Sequence, residues 1–181
     1  YSKYWHFKKR YGFVLRLSGG ASFGADPRLF YLGGVGNWIA PDYTFKNIYS
    51  MESLYFSRLI TPLRGYDYFD VQGTKYGLMN FEFRYPFIEY FAMKFPLPMV
   101  LSQVSGNIFY DLGAAWNDTK KFKGTTTEYG GWRLKDLKSG FGFGARANLG
   151  FIVLKYDTAW RTDFHSVSAK PIYYFSLGAE F

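Results

Sequence analysis

The stretch GLMNFEFRY, residues Gly77–Tyr85, changes residue character at every step. One parity carries Gly, Met, Phe, Phe and Tyr, and the other carries Leu, Asn, Glu and Arg. Successive side chains of a β-strand point to opposite faces of the sheet. The alternation therefore predicts a strand with one apolar face and one mostly polar face.

Comparable alternation recurs along the chain and predicts seven strands. The candidate strands cover about residues 2–8, 11–22, 75–87, 103–116, 139–149, 150–161 and 172–181. The last candidate has the clearest pattern, because one parity carries only aromatic residues, Leu and Ala. Residues 25–74 are predicted to form a long loop, in which Asn47–Ser57 is a candidate short helix.

The composition of the two faces favours a transmembrane barrel over a soluble β-sandwich. The chain holds 20 Phe, 17 Tyr and 5 Trp, and many of the Phe and Tyr lie on the apolar parity. The polar parity is rich in Gly, Asn, Ser and isolated charges, whereas a water-facing sheet surface is rich in Lys, Glu and Thr. Strands of about ten residues with this alternation are typical of outer-membrane barrels. We predict an all-β fold, a transmembrane antiparallel β-barrel, with a soluble β-fold as the alternative.

The number of strands bears on how such a barrel closes. Seven strands do not give the even-stranded closure of a bacterial barrel. An open sheet edge is forbidden in lipid because its backbone groups find no water. Either an eighth strand escapes the pattern, which would make a complete small barrel, or further strands precede Tyr1. We favour the second interpretation.

Charge and cysteine content narrow the kinds of site. The net charge of +8 fits nucleic acid, an anionic membrane surface or a basic lumen, and it does not choose among them. The absence of Cys excludes disulfides, Cys-ligated zinc and a catalytic thiol. The chain contains no run of eighteen apolar residues, so no membrane-spanning helix is predicted. No signal-peptide pattern follows Tyr1.

A hydrolase motif is matched by one glycine-rich stretch. Gly20–Gly24, GASFG, fits the G-x-S-x-G pattern of a nucleophile elbow. That elbow requires a helix after the turn, and no helical pattern begins there. The two histidines, His6 and His165, are also placed without support for a catalytic role. We therefore predict that the chain is not an enzyme.

The sequence supports a nucleic-acid site or a metal site no better than it supports a hydrolase site. Lys138–Phe143 weakly resembles an RNA-recognition signature, but the two helices of that fold are missing. Its Phe residues are better explained as lipid-facing, with its glycines clearing space in the lumen. Asp67 and Asp70 could form only a loose calcium site, and a solvated loop is the better interpretation. We predict no nucleic-acid partner, no metal and no cofactor.

Three motifs resemble one family. Phe30–Gly34, FYLGG, is followed by Leu63–Tyr66, LRGY, and both are similar to the motifs of the long sixth loop in that family. Phe109–Gly113, FYDLG, matches its F-x-D-x-G motif on a late strand. The last strand is similar to its C-terminal recognition signal, carried here by Tyr173, Phe175, Leu177 and Phe181.

The family is the BamA-like superfamily of outer-membrane assembly and two-partner-secretion barrels. The resemblance covers roughly residues 11–181 and implies the last seven or so strands of a sixteen-stranded barrel. In typical members only a few residues separate the two loop motifs, whereas here Val35–Pro62 separates them. This insertion is aromatic, and we expect it to fold as a surface subdomain.

The resemblance also implies a site. The loop would fold back into the lumen, where Arg64 would meet the strand aspartate Asp111. Glu82 shares the polar parity of its own strand and is expected nearby. The planar fork of Arg suits carboxylates better than Lys does, because it donates two parallel hydrogen bonds. Gly65 would allow a tight turn at the loop tip, and Tyr66 would pack against the wall.

The implied function is protein insertion or translocation at the bacterial outer membrane, without nucleotide hydrolysis. An openable seam would lie at the last strand, where Gly178 and the glycines of 140–144 would weaken the wall. The expected partners are outer-membrane lipid, lipopolysaccharide, and client or accessory proteins. The alternative is a passive outer-membrane barrel that anchors an upstream periplasmic or surface domain.

Overall fold

The fold is taken from a computed structural model. It describes residues 1–8, 10–39, 41, 55–88, 91–93, 99–101, 104–117, 124–126, 132–134, 137–149, 152–164 and 166–178. For 91–93, 99–101, 124–126 and 132–134 only the backbone is described. In these ranges no helix is long and apolar enough to cross a membrane.

Seven long strands form one antiparallel sheet, which confirms the all-β antiparallel prediction. The strands are β1 Ser2–Phe7, β2 Tyr11–Ala21, β6 Lys75–Ile88, β9 Val104–Trp116, β12 Leu137–Asn148, β13 Val153–Thr162 and β14 Ile172–Gly178. Each pairs with the next in this order, and every pairing is antiparallel. In the described residues β1 and β14 are the two edges, and the sheet is open.

The strands follow the predicted segments with small shifts at their ends. The sixth begins at Val153 and was predicted to begin at residue 150, and residues 150 and 151 lie outside the described part of the chain. The last is described to Gly178, so its predicted final residues, 179–181, also lie outside. Short strand pairs, β7 Phe91–Met93 with β8 Met99–Leu101 and β10 Gly124–Thr126 with β11 Trp132–Leu134, were not predicted. Three-residue strands are too short for period two to be recognised.

The two faces of the sheet have opposite polarity. One face exposes large apolar side chains, including Ile108 at 53% and Phe143 at 54%, which are opposite each other on neighbouring strands. The other face buries polar side chains. Its buried polar residues include Asn80, Glu82, Asn107, Asp111 and Asp157. A soluble sheet normally buries its apolar face and exposes its polar one, so this sheet is inverted.

The prediction of a long loop over residues 25–74 was incomplete. Three short strands lie within it: β3 Phe30–Leu32, β4 Arg58–Ile60 and β5 Val71–Gly73. β3 lies between the other two, parallel to β4 and antiparallel to β5. The candidate helix Asn47–Ser57 lies mostly outside the described residues, as does half of the Val35–Pro62 insertion.

The loop packs its own apolar core against the inner, polar-bearing face of the sheet. The core contains Phe30, Leu32, Ile60, Leu63, Tyr66, Val71, Leu78 and Ala115. Six of these come from the loop, and Leu78 and Ala115 come from β6 and β9. Burial of these side chains fixes the loop over the centre of the sheet, because burying each large aliphatic or aromatic side chain contributes about 1.5–3 kcal/mol.

Candidate functional site

The two loop motifs lie side by side, although Val35–Pro62 separates them in sequence. Gly34 forms an antiparallel bridge with Leu63, whose N–H donates to the Gly34 carbonyl oxygen at 3.0 Å. The Gly34 N–H donates to the carbonyl oxygen of Tyr66 at 2.9 Å. Gly34 has a φ of 69°, and a Cβ there would lie 2.7 Å from the Tyr68 ring. Glycine is therefore required for this close approach.

Arg64 lies at the centre of the site and is only 1% exposed. Its Nε donates to Asp111 Oδ2 at 2.7 Å, and its Nη2 donates to Asp111 Oδ1 at 2.8 Å. Its Nη1 donates to Glu82 Oε1 at 2.9 Å, and its backbone N–H donates to Asp111 Oδ2 at 3.0 Å. The structure thus brings together the three residues predicted for the site. We call Arg64, Asp111 and Glu82 the Arg64 cluster.

Two residues of the strand motif Phe109–Gly113 lie against the loop residues Arg64 and Leu63. The Arg64 guanidinium carbon lies 3.5 Å from the centroid of the Phe109 ring, a stacked cation–π contact. A Cβ on Gly113 would lie 3.1 Å from Leu63 Cδ1 and 3.2 Å from Leu78 Cδ1. Phe109 therefore provides a surface for Arg64, and Gly113 leaves room for the neighbouring Leu63. Both residues were predicted as members of the strand motif, without these roles.

Further polar side chains surround the cluster and were not identified from sequence. Asn80 donates to Asp111 Oδ1 at 2.8 Å and to the Pro62 carbonyl oxygen at 2.8 Å. Arg146 donates to both carboxylate oxygens of Glu82 at 3.0 Å. Strand parity could have indicated these residues, since they lie on the inner face. Parity alone does not show which inward side chains reach the loop.

The site balances charge in a buried space. Its cations are Arg64, Arg84 and Arg146, and its anions are Glu82, Asp111 and Asp157. Burial alone lowers the pKa of Arg64, but the nearby carboxylates outweigh burial and raise its pKa above the usual value. Arg64 therefore stays charged, and each anion faces a cation, as buried charges require.

The loop tip is held by hydrogen bonds to three strands. Gly65 has a φ of 92°, and its N–H donates to the Tyr174 hydroxyl at 2.8 Å. That hydroxyl donates to the Tyr66 carbonyl oxygen at 2.8 Å. The Tyr66 hydroxyl donates to the Ser139 carbonyl oxygen at 3.2 Å. Arg161 Nε donates to the Gly65 carbonyl oxygen at 3.1 Å. The tip is thus attached to β12, β13 and β14.

Arg161 also forms an ion pair with Asp70, one of the two carboxylates considered for a calcium site. Its Nη2 donates to Asp70 Oδ2 at 2.8 Å, and its guanidinium lies 4.4 Å from the centroid of the Tyr66 ring. Asp70 is therefore part of an ion pair beside the loop tip. Within the described residues, no group of three or more His, Cys, Asp or Glu side chains is placed to hold a metal ion.

The glycines of β12 lie at close approaches to the loop backbone and to groups on the neighbouring strands. A Cβ on Gly140 would overlap the Arg64 carbonyl oxygen, and one on Gly142 would overlap the Thr158 carbonyl oxygen and lie 2.8 Å from the Phe109 ring. On Gly144 it would overlap the Asp157 carboxylate. These glycines therefore make room for the loop and its partners. A Cβ on Gly178 would make ordinary contacts only, and its role in weakening a seam stays a prediction.

The proposed C-terminal signal lies apart from the Arg64 cluster. Tyr173 and Phe175 are exposed on the outer face, and Leu177 is partly buried. Phe181 lies outside the described residues. Ser22, the serine of the G-x-S-x-G match, follows the end of β2 and accepts a hydrogen bond from the Arg28 N–H at 2.7 Å.

A cavity of about 370 Å³ adjoins the cluster on the inner face. Its lining includes seven charged side chains. They are Arg16, Arg64, Glu82, Arg84, Arg146, Lys155 and Asp157. Such a lining favours a water-filled space, because empty cavities in proteins are apolar.

Comparisons with known proteins add no relative to this description. No protein-family model, curated protein or solved structure matches the chain.

Proposed function

We propose that this chain forms the C-terminal part of an outer-membrane β-barrel that inserts or translocates proteins. The observation that carries the proposal is the Arg64 cluster, which fastens a loop to the polar face of a sheet whose other face exposes aromatic and aliphatic side chains. In this proposal the sheet is the barrel wall. Its polar face lines the lumen, and the loop occupies the lumen as a plug.

The inverted polarity of the sheet supports a membrane location. Ile108, Phe143, Tyr156 and Phe175 are all more than 40% exposed on the outer face. Soluble monomers rarely expose a large continuous apolar surface. In lipid the same surface is in its preferred solvent, and the polar groups of the other face remain shielded from lipid. Outer-membrane lipid and lipopolysaccharide are then the partners of this face.

The strand directions support a larger closed barrel. Seven strands that alternate in direction leave both edges, β1 and β14, running the same way. Antiparallel closure then needs an odd number of further strands. The sixteen strands that the family resemblance implies would supply nine, which meets this condition and the even count of bacterial barrels.

The buried ion pairs favour a barrel that opens over a barrel that only anchors another domain. Separating charged partners into a water-filled lumen rehydrates them, so the loop tip can leave without exposing those groups to lipid. Client or accessory proteins are therefore the expected partners of the open state.

The membrane location can be tested by placing a charge on the outer face. Phe143 lies in the middle of β12, and Phe143→Arg should destabilise a lipid-facing wall by about 2–4 kcal/mol. Phe164→Arg is the matched control, because Phe164 is 55% exposed but lies in the turn after β13. Heat-induced unfolding of the membrane-extracted protein measures both. Equal, small effects would indicate a water-facing sheet.

The transport role can be tested by depletion in the native host cell. If the protein inserts or translocates others, its depletion should lower the amount of folded outer-membrane or secreted proteins. A plasmid-encoded Arg64→Ala variant should restore less than the wild type does. Unchanged levels of all outer-membrane and secreted proteins on depletion would favour the passive anchor.

A further inference from the structure

The edge of β14 that does not pair with β13 is partly covered by the beginning of the Val35–Pro62 insertion. Ser176 faces Lys155 of β13 on one side and forms an antiparallel bridge with Trp38 on the other. The Ile39 N–H donates to the Phe175 carbonyl oxygen at 2.7 Å. Residues 37–39 thus lie along β14 as a very short additional strand, which we call the edge segment.

Aromatic packing holds the edge segment in place. The Trp38 ring lies 4.6 Å from the Tyr174 ring and 5.3 Å from the Tyr68 ring, measured between centroids. The Trp38 N–H donates to the Tyr68 hydroxyl at 3.3 Å, and that hydroxyl donates to the Val35 carbonyl oxygen. The segment is therefore fixed by its backbone to β14 and by its side chain to the inner face.

We propose that the edge segment is an internal cap on β14. It occupies backbone groups that any further strand would need for pairing along this edge, so it must leave before such a strand pairs along the whole of β14. Exposed sheet edges bind other strands through main-chain hydrogen bonds that do not depend on sequence. The cap and an incoming strand therefore compete for the same groups.

The cap is short enough to be displaced. It opposes β14 around one residue pair, whereas β13 pairs with β14 over seven. Asn37 has a φ of 56°, so the extended path is interrupted at the start of the segment. The consequence for a seam rests on the proposed function, but the contact itself depends only on the sheet. It gives the first part of the insertion a regulatory role.

A disulfide can test the contact, because the chain has no Cys of its own. Ile39 lies opposite Phe175 and donates to its carbonyl oxygen. The Cα atoms of such a hydrogen-bonded pair are about 5.5 Å apart, and that separation suits a disulfide. Ile39→Cys with Phe175→Cys keeps Trp38 in place and should crosslink in the full-length protein in native membranes. Ile39→Cys with Pro171→Cys is the control, since Pro171 lies four residues from Phe175, about 13 Å along the chain.

The capping role can be tested by weakening one bond. Ile39→Pro removes the N–H that Phe175 accepts, whereas Ile39→Ala keeps it and controls for the lost side chain. The probe is a synthetic peptide with the sequence of β13, residues 153–162, which pairs with the other edge of β14 in the fold; its binding to the purified full-length protein is measured. The cap and the peptide compete, and one backbone hydrogen bond corresponds to about two- to tenfold in affinity, so Ile39→Pro should bind the peptide that much more tightly than Ile39→Ala. The variant with both Ile39→Cys and Phe175→Cys should bind the peptide less tightly when oxidised than when reduced.

These outcomes separate the cap from the proposed function. Equal affinity of the Pro and Ala variants for the peptide would overturn the capping role. A membrane-integrated protein in which neither cysteine pair crosslinks would overturn the contact and leave the proposed function standing. A protein that crosslinks at 39 and 175 but is recovered outside the membrane would keep the contact and overturn the proposed function.

Discussion

Replacing Arg64 by Ala should release the loop from the sheet. The substitution removes three charge-assisted hydrogen bonds from its side chain, at 2.7, 2.8 and 2.9 Å, and its contact with the Phe109 ring. It also leaves Asp111 buried without its main cation. Breaking a buried ion pair by removing one partner costs about 3–5 kcal/mol.

The neighbours of the cluster place the expected cost at the lower end of that range. Asp111 still accepts from Asn80 and from the backbone N–H of residue 64. Glu82 keeps its bonds from Arg84 and Arg146. We therefore expect Arg64→Ala to destabilise the protein by about 3 kcal/mol. Arg64→Lys keeps the charge but loses the fork, and we expect about half that cost.

Two assays measure this effect. A change of about 3 kcal/mol corresponds to about a 100-fold increase in the population of the released loop, and protease cleavage follows that population when reclosing is fast. The urea midpoint should fall by about 1–3 M, given ordinary unfolding slopes. Arg58→Ala is the control, because Arg58 is exposed on β4 in the same loop. It should change stability by at most about 0.5 kcal/mol.

A double-mutant cycle isolates the pair itself. Arg64→Ala and Asp111→Ala should each be destabilising, and the double variant should be less destabilised than their sum by about 1–3 kcal/mol. Additive effects would mean that the two residues do not stabilise each other. Wild-type loop cleavage and an unchanged urea midpoint in Arg64→Ala would refute the assignment of Arg64 as the residue that holds the loop.

Two further substitutions address the loop tip. Gly140→Ala places a methyl group against the Arg64 carbonyl oxygen. It should lower the free energy of unfolding by about 1–3 kcal/mol and speed cleavage of the loop by protease. Gly77→Ala is the control and should be nearly neutral, because a Cβ there meets open space. A loop as resistant in the first variant as in the second would show that this close approach is absent. Tyr174→Phe strands the Gly65 N–H and should cost about 1–3 kcal/mol in urea unfolding, while Tyr173→Phe on the exposed face should not. Identical midpoints would remove Tyr174 from the site.

The long strands could be predicted from sequence because their pattern spans ten or more residues. Period two also assigned Glu82 and Asp111 to one polar face, and the motif resemblance then paired Asp111 with Arg64. Parity could not single out Arg146 or Asp157, since many inward polar residues satisfy the same rule. Only the path of the loop decides which of them are reached.

The loop interior could not be predicted for a different reason. β3 has only three residues, Phe30–Leu32, all buried and all apolar or aromatic, so it shows no alternation. Its partners β4 and β5 lie far along the chain, and one of the two pairings is parallel. Such pairings are fixed by tertiary packing on Leu78 and Ala115. A local pattern contains no information about them.

The last strand, β14, is attached both to the loop tip and to the edge segment, and these two attachments are coupled. The Tyr174 hydroxyl binds the loop tip at Gly65 and Tyr66, and one residue further on the Phe175 carbonyl oxygen accepts from Ile39. Trp38 packs on the ring of Tyr174 and so joins the two attachments. Release of the tip removes the hydrogen bonds that orient this ring, and the edge segment then loses part of its support. Loop release and uncapping of β14 should therefore occur together, so that Arg64→Ala, in a chain that keeps Trp38, also speeds hydrogen exchange of the Ile39 N–H.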